Sequence, residues 1–148
     1  MKAKVTLASG NRMMGVADSG KGVLIDAGPA EKKIGPSPLE LVLIGTAGCT
    51  AIDVVEILRK KRQNLAGLTV GIDGERATET PRVFTKLVVR YTAYGDVDKD
   101  ALDKAVGLSQ SKYCSASVML RRSGAAVSVA TEVRPADEFD EAAGPDRK

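Results

Sequence analysis

Ser37-Pro38-Leu39-Glu40-Leu41-Val42-Leu43-Ile44-Gly45-Thr46-Ala47-Gly48-Cys49 is the stretch on which the fold turns. Ser37 fits a helix N-cap, Pro38 the first helical position and Glu40 the third, from which a carboxylate reaches back to the Ser37 amide. Together they make a capping box. From Leu39 to Leu58 the chain is apolar nearly all round a helical wheel, which predicts a helix buried on most of its sides. The helix closes at Arg59-Lys60-Lys61-Arg62, cations that suit the negative end of its dipole, followed by Asn64 and Gly67.

Upstream, alternation at Lys2–Leu7, Arg12–Asp18 and Val23–Asp26 is broken by Ser9-Gly10-Asn11 and Gly20-Lys21-Gly22, which predicts a meander of three short antiparallel strands. Residues 27–36 read as a loop. Downstream, Leu68–Ala77 and Arg82–Tyr94 read as two strands joined at Thr78–Pro81. A second helix is capped within Gly95–Asp98 and begins near Lys99. It weakens around Ser109–Lys112 and continues, after a kink, as Tyr113–Arg122. Ala126–Arg134 is the last strand. The expected fold class is α+β, one domain over residues 1–134 with no internal boundary, then an acidic, solvated tail over 135–148. From Ala136 on, five acids face two bases, so the body is more basic than the whole chain at +3.

The 148 residues hold no histidine. That removes Ser-His and Cys-His catalysis, imidazole metal sites and the usual neutral-pH proton shuttle. Aromatics are 3% with no Trp, so the core is built from aliphatic residues, Ala and Gly. No uninterrupted apolar stretch is read as a membrane span, and MKAKVTLASG lacks the apolar segment of a signal peptide. The expected compartment is the cytoplasm. Arg59–Arg62 reads as a solvated helix end rather than a nucleic-acid site, and Ser19-Gly20-Lys21-Gly22 lacks the spacing of a P-loop. No cofactor is expected.

Chemistry then rests on two cysteines. Cys49 lies in the small-residue run Gly45–Ala51 and Cys114 in Lys112-Tyr113-Cys114-Ser115. Sixty-four residues lie between them, so they form neither a C-x-x-C pair nor a zinc ribbon, and no metal site is expected. Two readings stand. Either the thiols are buried and inert, or they face each other across two helices. A reactive Cys49 sits about 17 Å from the helix start, too far for the dipole to help, and needs a nearby cation.

Ser37-Pro38-Leu39-Glu40-Leu41, Ala47-Gly48-Cys49 and Tyr113-Cys114-Ser115, in this order, resemble the osmotically inducible protein C / organic hydroperoxide resistance (OsmC/Ohr) family, and within it the YhfA-like branch. The resemblance covers roughly residues 1–134. It implies antiparallel sheets around two central helices in an intertwined homodimer, and a thiol-dependent peroxidase acting on organic hydroperoxides in antioxidant and stress response. It makes Cys49 the peroxidatic cysteine, Cys114 the resolving one and Glu40 the glutamate of the OsmC branch. The family arginine has no clean counterpart. Arg12 is the arginine upstream of Cys49, with Lys33 as the other candidate, and Ser115 stands where the family often has Pro.

Nine residues of helix turn Glu40 and Cys49 to opposite sides, about 13 Å apart along the axis. If both serve one site, the second comes from another chain. The expected cycle is a Cys49 sulfenic acid, resolved by Cys114 to a disulfide and reduced by an external dithiol. Arg12 assists Cys49, and Glu40 orients that cation. The alternative is a non-enzymatic dimer of the same fold that binds a hydrophobic small molecule.

Overall fold

The computed structural model describes residues 1–142. They group into two compact units, Met1–Val42 and Leu43 onward, where the sequence shows no boundary. The division has a physical origin in the first unit. Its strands β1 (Ala3–Ser9), β2 (Arg12–Ala17) and β3 (Gly22–Asp26) bury only Gly15 and Asp26. The meander is therefore held by its ladder and turns rather than by a shared core. The order is β1-β2-β3, antiparallel throughout, with Val5 opposite Gly15 and Met13 opposite Ile25. Gly10 (φ 54°) and Gly20 (φ 75°) sit in the left-handed region that the two tight connections need. The following loop carries a 3-10 turn at Ala30–Lys32.

Helix α1 runs from Pro38 to Lys60. Glu40 reaches back as the capping pattern predicts, its carboxylate accepting from the Ser37 amide at 2.6 Å. The Ser37 hydroxyl also donates to that carboxylate, at 2.6 Å. Burial is narrower than expected. Only Thr46, Thr50, Val54 and Leu58 are buried, a single stripe at every fourth residue, while Ile44 and Ile52 are exposed. No uninterrupted apolar stretch has the length of a membrane span, because Asp53 and Glu56 break α1. Averaged along the helix, however, α1 is long and apolar enough for one, with a mean hydropathy of 1.9 over its most apolar 18 residues.

The second unit is built on β4 (Asn64–Arg76), β5 (Phe84–Asp96) and β6 (Ala126–Arg134), in the order β4-β5-β6. β4 and β5 are antiparallel, with Val70 opposite Tyr91. β5 and β6 are parallel, from Lys86 opposite Ala126 to Tyr94 opposite Arg134, where antiparallel sheets were expected. The helical segment between them supplies the long crossover that a parallel pair requires. That segment is α2 (Lys99–Leu108), a π turn (Ser109–Tyr113) and α3 (Ser115–Arg122). Asp98 caps α2, accepting from the Asp100 amide at 3.2 Å.

Period-two burial puts Leu87, Val89, Tyr91 and Ala93 of β5 on one face. Helical spacing puts Ala101, Leu102, Ala105 and Val106 on one face of α2. Val89, Tyr91 and Ala93 of the first face and all four residues of the second meet Val54 and Leu58 of α1 in the core. Each large aliphatic side chain so buried contributes about 1.5–3 kcal/mol.

The expected solvated tail begins with an anchored segment. A 3-10 turn at Ala136–Glu138 follows β6, and the Phe139 ring lies 5.2 Å from that of Tyr94. Gly67 leaves room for it, since a Cβ there would stand 2.5 Å from the Phe139 ring. The rest of the expected tail, 143–148, lies outside the described residues.

Candidate functional site

Cys49 sits in the middle of α1 and is half-buried, whereas Cys114 is fully buried. Both thiols are free, and the structure brings them together. The two sulfurs and a carboxylate oxygen of Asp53 all lie within 4.8 Å of one another. Asp53 follows Cys49 by four residues, so one helical face carries both.

Cys114 reaches the same spot through an irregularity. The π turn closes with the Cys114 amide donating to the Ser109 carbonyl at 2.9 Å. Cys114 then leaves helical geometry (φ −73°, ψ 97°) and becomes the N-cap of α3. Its sulfur accepts the Ser117 amide at 3.4 Å. A thiol here takes the place usually held by a hydroxyl or carboxylate.

Behind the sulfurs runs a buried polar chain. The Ser109 hydroxyl donates to Asp53 Oδ2 at 2.9 Å. Thr50 Oγ1 lies 2.7 Å from Ser109 Oγ and 2.7 Å from the Tyr91 hydroxyl. Gln110 Nε2 donates to that hydroxyl at 2.6 Å and to Ser117 Oγ at 3.3 Å. Arg121 Nη2 donates to Gln110 Oε1 at 3.1 Å. Among the described residues no buried side-chain nitrogen or oxygen lacks a partner, as a polar cluster in a low dielectric demands.

Burial pushes the Cys114 thiol up from its ordinary value, and the nearby Cys49 adds to this against the opposing Ser117 contacts. Burial likewise raises the Tyr91 hydroxyl, against its bonds to Thr50 and Gln110.

The other two predicted site residues lie in the first unit with partners of their own. Arg12 Nε donates to the buried Asp26 carboxylate at 3.1 Å. Asp26 also accepts from the Gly28 and Ile34 amides at 2.8 and 3.2 Å, and these backbone bonds hold its carboxyl below the ordinary value. Glu40 is held by Ser37 and pairs with Lys33 at 3.6 Å. Its carboxyl is likewise lowered, the Ser37 side chain being the largest cause.

Sequence reasoning overlooked Asp53, Thr50, Tyr91, Ser109 and Gln110. The signal for Asp53 was present, an acid one helical turn beyond a cysteine in a mostly apolar helix. Gly45 and Gly48, read as a place for close helix approach, have nothing within 4 Å of where a Cβ would sit.

This arrangement defines a class. Residues 29–130 match the model of the OsmC-like protein family, and the chain belongs to it. Protein YhfA of Escherichia coli K12 is 40% identical over 123 residues, covering 82% of this chain and 90% of its own. A hypothetical protein of Aquifex aeolicus VF5 superposes with a TM-score of 0.81 at 28% identity, over 90% of this chain and 96% of its own. The organic hydroperoxide resistance protein OhrB of Bacillus subtilis shares the fold, with a TM-score of 0.60 at 16% identity over 90% and 98% of the two chains.

Proposed function

We propose that the chain is a thiol-dependent peroxidase for organic hydroperoxides. The observation that carries this reading is the meeting of Cys49 and Cys114 with Asp53. The Cys49 thiolate attacks the terminal peroxide oxygen, and the O–O bond breaks. The alkoxide takes a proton and leaves as the alcohol, and Cys49 becomes a sulfenic acid. Cys114 then attacks that sulfur. Asp53 takes the Cys114 proton and passes it to the sulfenic hydroxyl, which departs as water, and a Cys49–Cys114 disulfide forms. An external dithiol restores both thiols by exchange.

Glu40 and the cation it orients, Arg12 or Lys33, come from a second copy of the chain in a homodimer. The Lys33–Glu40 ion pair supports that pairing of roles, and the exposed Ile44 and Ile52 of α1 support a second copy. The cycle suits the reducing cytoplasm.

The test uses the reduced protein and cumene hydroperoxide. Peroxide is consumed, and mass spectrometry finds a Cys49–Cys114 disulfide. Cys49→Ser abolishes consumption. Cys114→Ser halts at a sulfenic acid that dimedone traps. Absence of both turnover and disulfide in the unmodified chain would overturn the reading.

Arg12 is already committed to Asp26, which favours one alternative, a non-enzymatic dimer binding a hydrophobic small molecule. It requires ligand binding unchanged by Cys49→Ser.

A further inference from the structure

The same three donors have a second chemistry. Two thiols and one carboxylate converge, and from these atoms we infer that the chain binds one thiophilic divalent metal ion of the zinc class, with Cys49, Cys114 and Asp53 as ligands. The sequence gives no hint of this, because metal-binding cysteines are recognised by short spacing. Here the fold replaces spacing. α1 supplies Cys49 and Asp53 four residues apart on one face, and the π turn delivers Cys114 to them.

The geometry is close to what a tetrahedral site needs. With metal–sulfur bonds of about 2.3 Å and metal–oxygen bonds of about 2.1 Å, neighbouring donors stand about 3.5–3.8 Å apart. The three donor atoms already lie within 4.8 Å of one another. Small side-chain rotations close the rest.

Supporting contacts are in place. Ser109 holds the Asp53 carboxylate by Oδ2 and fixes its orientation. The Ser117 amide orients the Cys114 sulfur. Such outer contacts fix ligand orientation in metal sites. Cys49 is half-buried, so an ion has an approach from its side and the fourth position is open to water.

Two sulfur donors set the selectivity. Calcium and magnesium demand all-oxygen shells, whereas zinc, cadmium and cobalt accept two thiolates and a carboxylate. Binding is an exchange without redox change. The ion displaces one proton from each thiol into solvent, and both sulfurs stay reduced. Metal and oxidant then compete for the same pair, so the loaded site is a protected form of the dithiol. The inference stands on the donor geometry and is independent of the peroxidase reading.

The experiment takes the full chain, reduced and stripped with chelator, and titrates it with Cd²⁺ and with Co²⁺. Thiolate-to-metal charge-transfer absorption rises and saturates at one ion per chain. At saturation both thiols resist a thiol reagent, and chelator returns both. Chain oxidised beforehand to the disulfide gives no such absorption. Cys49→Ser loses about half of it, and Asp53→Asn weakens binding roughly tenfold or more, on the scale of lost metal-site contacts.

Two thiols still titratable at saturating Cd²⁺ in the unmodified chain would overturn the site, whatever the variants do. So would Asp53→Asn binding as tightly as the unmodified chain. A chain that consumes peroxide yet binds no Cd²⁺ sinks the metal site alone. One that binds Cd²⁺ through both thiols yet consumes no peroxide sinks the peroxidase alone.

Discussion

Cys49 and Cys114 share a site but not an environment. Cys114 has no exposed surface, its thiol is pushed up by burial, and its sulfur is engaged with the Ser117 amide. Cys49 retains solvent access. Alkylation of the reduced protein at neutral pH therefore modifies Cys49 first. Cys114 follows roughly tenfold or more slowly, because both thiolate fraction and access are reduced. Peptide mapping over a time course checks this, and equal rates would contradict the assigned roles. At this scale the sequence was half legible. Two cysteines and no histidine narrowed the chemistry to thiols, and the capping role of Glu40 followed from its spacing to Ser37. Ser109 and Gln110 were not legible. They are polar residues in a buried position, and a hydrophobic period has no means of marking them.

The irregular helix after β5 shows how an element places a residue. The weakening at Ser109–Lys112 was legible, since Ser, Gln, Ser and Lys interrupt the apolar spacing. The resumption at Ser115 rather than Tyr113 was not, because Cys is outside the usual set of N-cap residues. A π turn holds one residue more than an α turn closes over. Deleting Ser111 or Lys112, both exposed, removes that residue and turns Cys114 by about 100° about the helix axis. Such a deletion keeps its helical circular dichroism but loses the diamide-induced Cys49–Cys114 disulfide. Disulfide formation at the unmodified rate would show that the π turn is not what aims Cys114. The crossover between β5 and β6 was legible in its length, yet the sequence reading left the strand direction antiparallel.

On the scale of the molecule, the first compact unit carries an acid-sensitive tie. Asp26 ties β3 to the loop amides of Gly28 and Ile34 and to Arg12, and its carboxyl is held below the ordinary value of 3.8. The unfolded chain then takes up the proton first as pH falls. The stabilisation is complete above about 3.8 and is lost as pH drops through the lower folded-state value. Hydrogen exchange in residues 1–42 accelerates in that window, and Asp26→Asn flattens the dependence. The same slope in both proteins would remove Asp26 from the account.

The parallel pairing of β6 with β5 has a consequence for synthesis. On the ribosome, β5 emerges and finds β4 at once through a short hairpin. Its other edge stays open until α2 and α3 have been made and residue 134 has left the exit tunnel. Throughout that interval the nascent chain displays an unpaired strand rich in Val and Tyr, the kind of edge that captures neighbours. Translation speed across residues 97–134 therefore sets how long each new molecule is exposed to aggregation.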